Sequence, residues 1–190
     1  MFLNKSVIAV LMITGLLVAG EYHVDKEREN QVKFISDAPL EDFEGVTDKI
    51  DGYIYWEGED LLNNSELYFE VDLNSLDTGI GLRNRHMREN YLHTDEYPFT
   101  HFTGKLTRAN KVEDRRYEVT AEGTLYIHGV EKAMTAEGTI TAAENGYKIQ
   151  TNFTVALTDY NIEVPQLMFM KIDENMQLEL NFYVEKVVNE

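Results

Sequence analysis

Alternation of apolar and polar residues is the feature of this sequence that most limits its fold. A period of two is typical of a β-strand with one buried and one solvated face. The clearest alternating runs cover residues 67–73, 117–127, 147–157 and 176–184. Weaker runs cover residues 32–36, 49–56, 99–107 and 133–142. Together the runs predict about eight strands.

Turn signals separate these runs, at residues 57–60, at His128-Gly129 and at residues 144–146. The Asn145-Gly146 pair between two alternating runs predicts a β-hairpin. About eight antiparallel strands predict an all-β fold, either a closed barrel or a sandwich, and closure removes exposed strand edges. Alternation does not distinguish a barrel filled by its own side chains from one that holds a small ligand.

Two segments break the alternation and predict one or two short helices. In residues 36–45, Pro39 stands near the start and Gly45 is placed to end a helical turn. Residues 81–90 predict a second short helix, which carries Arg83, Arg85 and Arg88 in a chain with few arginines.

The charge balance excludes several classes of partner. The chain has 17 Lys and Arg residues against 34 Asp and Glu residues, a net charge of -17 at pH 7. Nucleic-acid binding depends on clustered basic residues that neutralise phosphates, so we expect no nucleic-acid partner. The same acidity disfavours docking on an anionic membrane surface, so we expect any membrane contact to be transient. The absence of cysteine excludes disulfides, thiolate nucleophiles and cysteine-based metal sites.

Residues 1–20 have the order of a secretory signal peptide. Lys5 gives a basic start, residues 7–18 are almost entirely apolar, and small residues follow. The apolar run is shorter than the roughly 20 residues that a membrane-spanning helix needs. We therefore expect cleavage near Gly20, a mature domain over residues 21–190, and a periplasmic or secreted location. An uncleaved anchor or a buried helix is the alternative.

Five stretches with family-like motifs follow one another along the mature chain. They are Tyr22-His23-Val24-Asp25, Phe43-Glu44-Gly45 with Gly52-Tyr53-Ile54, Leu76-Asp77-Thr78-Gly79 with Arg83-Asn84-Arg85-His86-Met87-Arg88, Tyr97-Pro98 with Phe102, and Gly123-Thr124-Leu125-Tyr126-Ile127-His128-Gly129-Val130. In order and spacing this set resembles the YceI-like family, also called polyisoprenoid-binding periplasmic proteins. Asn84 departs from the pattern, because the family usually has an aspartate there.

The resemblance implies an extended, eight-stranded, antiparallel, lipocalin-like barrel with a long interior tunnel. It also implies non-covalent binding of a long isoprenoid chain, such as a polyprenyl compound or a quinone tail, for transport, storage or sequestration. Each buried methylene is worth about 0.8 kcal/mol, so ten of them offer about 8 kcal/mol before the costs of association. No cofactor is implied beyond the bound lipid, which is a ligand.

The inward faces of the strands supply the candidate tunnel lining, although such faces also pack dry barrel cores. The candidates are Phe34, Ile54, Phe69, Val71, Phe102, Ile127, Phe153, Val155, Leu178, Leu180 and Phe182. A further apolar run without alternation consists of Leu167, Met168, Phe169 and Met170. We expect this run to cover or line the tunnel mouth, since methionine adapts to irregular apolar partners. An ordinary strand start is the alternative.

Arg83, His86 and Arg88 are candidates for contact with a polar head group at the mouth. The planar fork of arginine suits a phosphate or a similar group. In so acidic a chain, a carboxylate such as Asp77 or Asp95 is the competing partner for these side chains.

Metal and enzyme interpretations find little support in the sequence. His86, His93, His101 and His128 raise the question of a metal site, but no HExxH-type pair is present. No nucleophile elbow, phosphate-binding loop or dinucleotide fingerprint occurs. We therefore expect no metal and no catalytic residues. The alternatives left open are an accessory protein to a membrane quinone or electron-transfer partner, a histidine-dependent metal-binding protein, and a homodimer.

Overall fold

The computed structural model describes residues 19–36, 43–167 and 170–187. Most of these residues form β-strands, and short helical segments interrupt them. Within these ranges, no helix has both the length and the apolarity that crossing a membrane requires.

The strands follow one another in mostly antiparallel connections. They are β1 (Ala19–Val24), β2 (Gln31–Ser36), β3 (Phe43–Thr47), β4 (Ile50–Glu57), β5 (Glu66–Asp72), β6 (Phe99–Glu113), β7 (Arg116–Ile127), β8 (Val130–Ala143), β9 (Gly146–Ala156), β10 (Gln166–Leu167), β11 (Met170–Lys171) and β12 (Asn175–Lys186). Helix α1 (Gly81–His86) continues as a π-helical turn over Met87–Leu92, and 3-10 turns occupy Leu73–Ser75 and Leu157–Tyr160.

Strand β12 closes the sheet into a barrel. One edge of β12 pairs with β9, while the other edge pairs with β2 over residues 176–181 and with β1 over residues 184–186. Strands β1 and β2 therefore share one strand position of the barrel wall, and each such position is here called a stave. The next stave consists of β3, which pairs with β2, and β4, which pairs with β1. The staves run β1/β2, β3/β4, β5, β6, β7, β8, β9 and β12, back to the first. The predicted all-β, eight-stranded antiparallel barrel is confirmed.

Each of the strands predicted from alternation is present, and the structure adds β1, β3 and the short strands β10 and β11. The helical turn predicted over residues 36–45 is wrong where the structure describes it, because Ser36 ends β2 and Phe43–Thr47 forms β3. Gly45 lies opposite Phe34 in the ladder, and a Cβ at Gly45 would overlap the Phe34 ring. The glycine thus permits close packing in a sheet rather than ending a helix. Residues 37–42 lie outside the described part of the chain.

The helix predicted over residues 81–90 is confirmed as α1. Two hairpin turns also follow the sequence closely. His128 and Gly129 have φ angles of 50° and 77°, the pattern of a type I′ turn between β7 and β8. The β8–β9 turn lies one residue earlier than predicted, because Glu144 and Asn145 form it and Gly146 already belongs to β9.

The two ends of the barrel differ in what covers them. The mouth end carries the β5–β6 connection with α1, the β7–β8 turn and the β9–β12 connection. The opposite end is filled by an aromatic plug of Tyr22, Trp56 and Tyr147. Tyr22 stacks on Trp56 with 4.7 Å between ring centroids, and Trp56 meets Tyr147 edge-on at 5.4 Å. Trp56 is 3% exposed, so this end of the barrel is a packed core.

Candidate functional site

The barrel encloses a cavity of about 630 Å³, here called the lumen. Apolar side chains from every stave line it, and the plug residues Tyr22, Trp56 and Tyr147 do not. The lumen therefore extends from the mouth end and stops at the aromatic plug. Its size lies within the range of roughly 300–1,000 Å³ that is usual for small-molecule sites.

Small inward-facing residues on two neighbouring staves make the barrel hollow. Ala121 of β7 pairs with Ala136 of β8, and the Phe102 ring covers the next inward position of β7, Gly123. Larger aliphatic and aromatic side chains line the remaining circumference, where Phe69 packs edge-on against Phe182 with 4.9 Å between ring centroids. The short side chains of Ala121 and Ala136 reach less far into the lumen than these rings and leave part of it unfilled.

Helix α1 and the residue before it form an apolar rim at the mouth. Ile80 and Leu82 both line the lumen. Their side chains are also 54% and 56% exposed. Met87, Tyr91 and Leu92, from the π-helical turn that follows, complete this side of the wall. The rim thus joins the apolar lumen to an apolar surface in contact with solvent.

A hydrogen-bond network centred on Asn84 holds α1 in place. The Asn84 Oδ1 accepts from the Thr78 N–H at 2.8 Å and from the Thr78 hydroxyl at 2.6 Å, while its Nδ2 donates to Asp77 at 2.7 Å. The bond from Asn84, the Gly79 N–H and the nearby Arg88 charge lower the pKa of the Asp77 carboxyl. An aspartate at position 84 would set a second carboxylate against Asp77, so the asparagine fits this network as a donor.

Residues 157–162, here called the strap, cross the mouth end from β9 to the β7–β8 turn. The His128 Nδ1–H donates to the Tyr160 carbonyl at 3.1 Å, and the Lys132 Nζ donates to Asp159 Oδ1 at 2.5 Å. Tyr160 is 5% exposed, and burial raises the pKa of its hydroxyl. The strap is therefore fixed at one end by the chain, and at the other by these two polar contacts and by the packing of Tyr160 and Ile162 against Leu125.

The structure places the eleven strand residues proposed as tunnel lining in the wall of the lumen. They are Phe34, Ile54, Phe69, Val71, Phe102, Ile127, Phe153, Val155, Leu178, Leu180 and Phe182. Leu167 and Met170 lie in the small β10–β11 hairpin and pair with each other. Met168 and Phe169 lie outside the described residues.

The three head-group candidates occupy different positions. Arg83 and His86 line the lumen, and Arg88 is not part of its wall. The Arg83 side chain donates from Nε to the Thr78 hydroxyl at 2.8 Å and from Nη2 to the Thr78 carbonyl at 2.5 Å. Arg88 donates to the Asn74 carbonyl at 3.3 Å, outside the lumen.

The histidines occupy structural positions that the sequence alone did not reveal. The His93 Nδ1 and the His128 Nε2 are 2.9 Å apart. In a neutral His128 ring whose Nδ1–H donates to the Tyr160 carbonyl, the Nε2 has no proton. The His128 Nε2 then accepts a hydrogen bond from the His93 Nδ1–H. His101 stacks on Tyr126 on the outer face, with 4.7 Å between ring centroids. In the described residues, no three His, Cys, Asp or Glu side chains are arranged to hold a metal.

Two groups stand out among the lumen residues that sequence reasoning did not name. The first is the pair Ala121 and Ala136, whose small size was visible within the alternating runs. The second consists of apolar residues from the mouth segments, among them Ile80, Tyr91 and Ile162. The helical spacing of Met87 and Tyr91 is a weak signal for the second group, and the strap carries no periodic signal at all.

Comparisons with known proteins agree with this architecture. The family model described as the YceI-like domain matches residues 22–184. The chain is also 27% identical over 172 residues to the UPF0312 protein YE1254 of Yersinia enterocolitica, a match that covers 84% of this chain and 85% of the relative.

Solved structures show the same fold at low sequence identity. BcnA of Burkholderia cenocepacia has a TM-score of 0.69 at 16% identity, covering 85% of this chain and 98% of its own. A polyisoprenoid-binding domain of Saccharophagus degradans, implicated in plant cell wall breakdown, has a TM-score of 0.65 at 17% identity, covering 90% and 99%. The YCEI protein of Campylobacter jejuni has a TM-score of 0.57 at 16% identity, covering 80% and 89%.

Proposed function

Because the chain belongs to the YceI-like domain family, we propose that it is a non-catalytic protein that encloses one long isoprenoid chain in its lumen. The observation that carries this proposal is the lumen itself, an apolar cavity of about 630 Å³ that ends at a packed aromatic plug. An interior of this kind binds by burial of apolar surface and needs no reactive group.

The size of the lumen supports a chain of moderate length. At about 30 Å³ for a group the size of a water molecule, the lumen holds about 20 carbon groups, or about four isoprene units. At about 0.8 kcal/mol per buried methylene, such a chain gains up to about 16 kcal/mol before association costs are subtracted. The isoprenoid class is supported by the similarity to the polyisoprenoid-binding domain of Saccharophagus degradans.

We propose that Arg83 and His86 contact a polar head group. Both line the lumen beside the apolar rim of Ile80 and Leu82. A chain inserted tail first toward the plug would leave its head group at this rim. A phosphate or a quinone ring there would find hydrogen-bond donors on both side chains.

We also propose that the protein is exported and collects its ligand during brief contacts with a membrane. Residues 1–20 have the order of a signal peptide, and the net charge of -17 keeps the protein soluble. The exposed apolar rim at Ile80 and Leu82, with the basic Arg85 beside it, is a local exception to this acidic surface. Such a rim suits a transient lipid contact rather than stable anchoring.

Organic extraction of the protein purified from its native host, followed by mass spectrometry, tests the proposal. We expect one isoprenoid per protein molecule, and its chemical structure identifies the ligand as polyprenyl or quinone. A folded protein that yields no apolar compound, and that also takes up no isoprenoid in vitro, would refute the proposal.

A further inference from the structure

The hydrogen-bond ladder of the barrel is interrupted between β8 and β9. These strands pair from Ala143 with Gly146 as far as Gly138 with Thr151, and no further. All of residues 130–156 belong to the described part of the chain. The two edges that remain unpaired toward each other, residues 130–137 of β8 and residues 152–156 of β9, are here called the window.

Neighbouring ladders are complete over the same stretch. Residues 130–137 of β8 pair with β7, and residues 152–156 of β9 pair with β12. The continued register would join five more pairs, from 137 with 152 to 133 with 156, which is a gap of roughly 15 Å along the strands. The interruption between β8 and β9 therefore has an intact ladder on each side.

The lumen extends into this seam. On β8 and β9, the lumen is lined mainly by residues that face inward, such as Ala136, Ile149 and Phe153. Next to the last pair, the outward-facing residues Glu137, Thr139 and Gln150 also belong to its wall. The wall of the lumen therefore includes residues directly beside the point where the ladder between β8 and β9 ends.

Polar contacts define the two ends of the window. At the inner end, the Thr151 hydroxyl donates to the Glu137 carbonyl at 2.7 Å and so satisfies a backbone group that the ladder leaves free. At the mouth end, the strap closes the window through the contact between Lys132 and Asp159. The window is thus bounded at its inner end by the Thr151–Glu137 hydrogen bond, along its sides by the edges of β8 and β9, and at the mouth by the strap.

We propose that the window is the route by which an isoprenoid chain passes sideways into the lumen, with the strap as its gate. This inference rests on the proposed function. Widening the barrel at the adjoining seams, β7 with β8 or β9 with β12, breaks paired backbone hydrogen bonds, whereas widening it here breaks none between β8 and β9. A lateral route also lets a long flexible chain enter along its length, so that it need not thread end-on past α1 and the Asn84 network.

A covalent staple across the window is the most direct test. Thr135 and Thr154 are exposed and face each other in the continued register, so the double variant Thr135→Cys, Thr154→Cys spans the middle of the window. The chain has no cysteine of its own, so a bifunctional thiol reagent with a reducible spacer acts at this pair alone. Thr141→Cys with Lys148→Cys, a pair within the intact ladder, is the matched control.

The readout is the rate at which each protein takes up a fluorescent C20 isoprenyl probe from phosphatidylcholine vesicles, with the amount bound at equilibrium measured separately. We expect the staple to slow uptake by at least tenfold, reduction to restore the rate, and the control staple to change the rate by less than twofold. Uptake by the stapled variant at the rate of its reduced form would overturn the window and leave the proposed function intact. Failure of the wild-type protein to bind the probe would overturn both.

A second variant tests the gate without cross-linking. Asp159→Ala removes the contact with Lys132, so we expect both uptake and release of the probe to become several-fold faster while the equilibrium affinity changes little. Asp114→Ala, which removes the exposed ion pair with Lys111 at the opposite end of the barrel, is the control. Equal rates in Asp159→Ala and the control would contradict the gate.

Discussion

Replacing Ala121 with tryptophan is expected to stabilise the empty protein and to weaken ligand binding. Ala121 faces the lumen and pairs with another alanine, Ala136. An indole ring that enters the lumen buries about 150 Å² of apolar surface, which at about 25 cal/mol per Å² is worth about 4 kcal/mol at most. Lost side-chain freedom and imperfect fit offset part of this, so we expect a net gain of about 1–2 kcal/mol.

The same ring competes with the ligand for space. If it displaces about six methylenes, the ligand loses about 5 kcal/mol of burial. That corresponds to an affinity more than 1,000-fold weaker. Stability and affinity are thus expected to change in opposite directions.

Urea unfolding and titration with a C20 isoprenyl probe measure the two quantities. Thr103→Trp places the same ring at an exposed outward position of β6, away from the lumen and the window, so it is the control and we expect little change in either quantity. In a filled core, overpacking at Ala121 would cost about 1–3 kcal/mol. A destabilised Ala121→Trp that keeps its affinity for the probe would therefore refute the hollow barrel.

Three further predictions concern the walls of the barrel and its plug. Phe182→Ala should lose about 3–5 kcal/mol in urea unfolding, because the ring is 2% exposed; a loss below 1 kcal/mol would contradict its place in the core. Burial raises the pKa of Tyr147 from 10.0 to about 12, which means that the folded state favours the neutral hydroxyl. The stability that this neutral hydroxyl contributes is therefore present below pH 10 and lost as the pH rises through 12. Circular dichroism between pH 9 and 12 should show a smaller alkaline loss in Tyr147→Phe, and an unchanged loss would argue against the plug as its source. Gly123→Ala should destabilise the barrel by about 1–3 kcal/mol, because the new Cβ would overlap the Thr103 carbonyl. Gly81→Ala is the control, since a Cβ at Gly81 meets nothing within 4 Å and should not destabilise the barrel. Equal stabilities of the two variants would exclude the steric cause.

Alternation along the strands was sufficient to predict the strands and their buried faces, while the choice of a barrel over a sandwich came from the family resemblance. In β9, inward residues such as Phe153 and Val155 alternate with polar ones, and burial of the apolar face fixes both the strand and its orientation. Bends in the staves were not predictable in this way. Strands β1 and β2 share one edge of β12, and that sharing depends on pairing between distant segments, which leaves no local periodic signal.

The hollow interior and the window could not be predicted from the local alternation of apolar and polar residues. The alanines at positions 121 and 136 alternate correctly as strand residues, and only their pairing across two staves shows that the wall is thin at that point. Residues 130–137 and 152–156 keep a strand pattern although they do not pair with each other. Alternation records which face is buried and carries no information about which edge is bonded.

Dependence of affinity on isoprenoid chain length is the most direct test of the central claim, that the lumen encloses an isoprenoid chain. Five carbons per isoprene unit at about 0.8 kcal/mol each predict an increase of at least tenfold per added unit. The increase should level off at about four units, when a lumen of about 630 Å³ is full at about 30 Å³ per carbon group. Isothermal titration with C10, C15, C20 and C30 isoprenols measures this series. A steep rise followed by a plateau near C20 is the predicted result, and affinities that are independent of chain length would contradict the account.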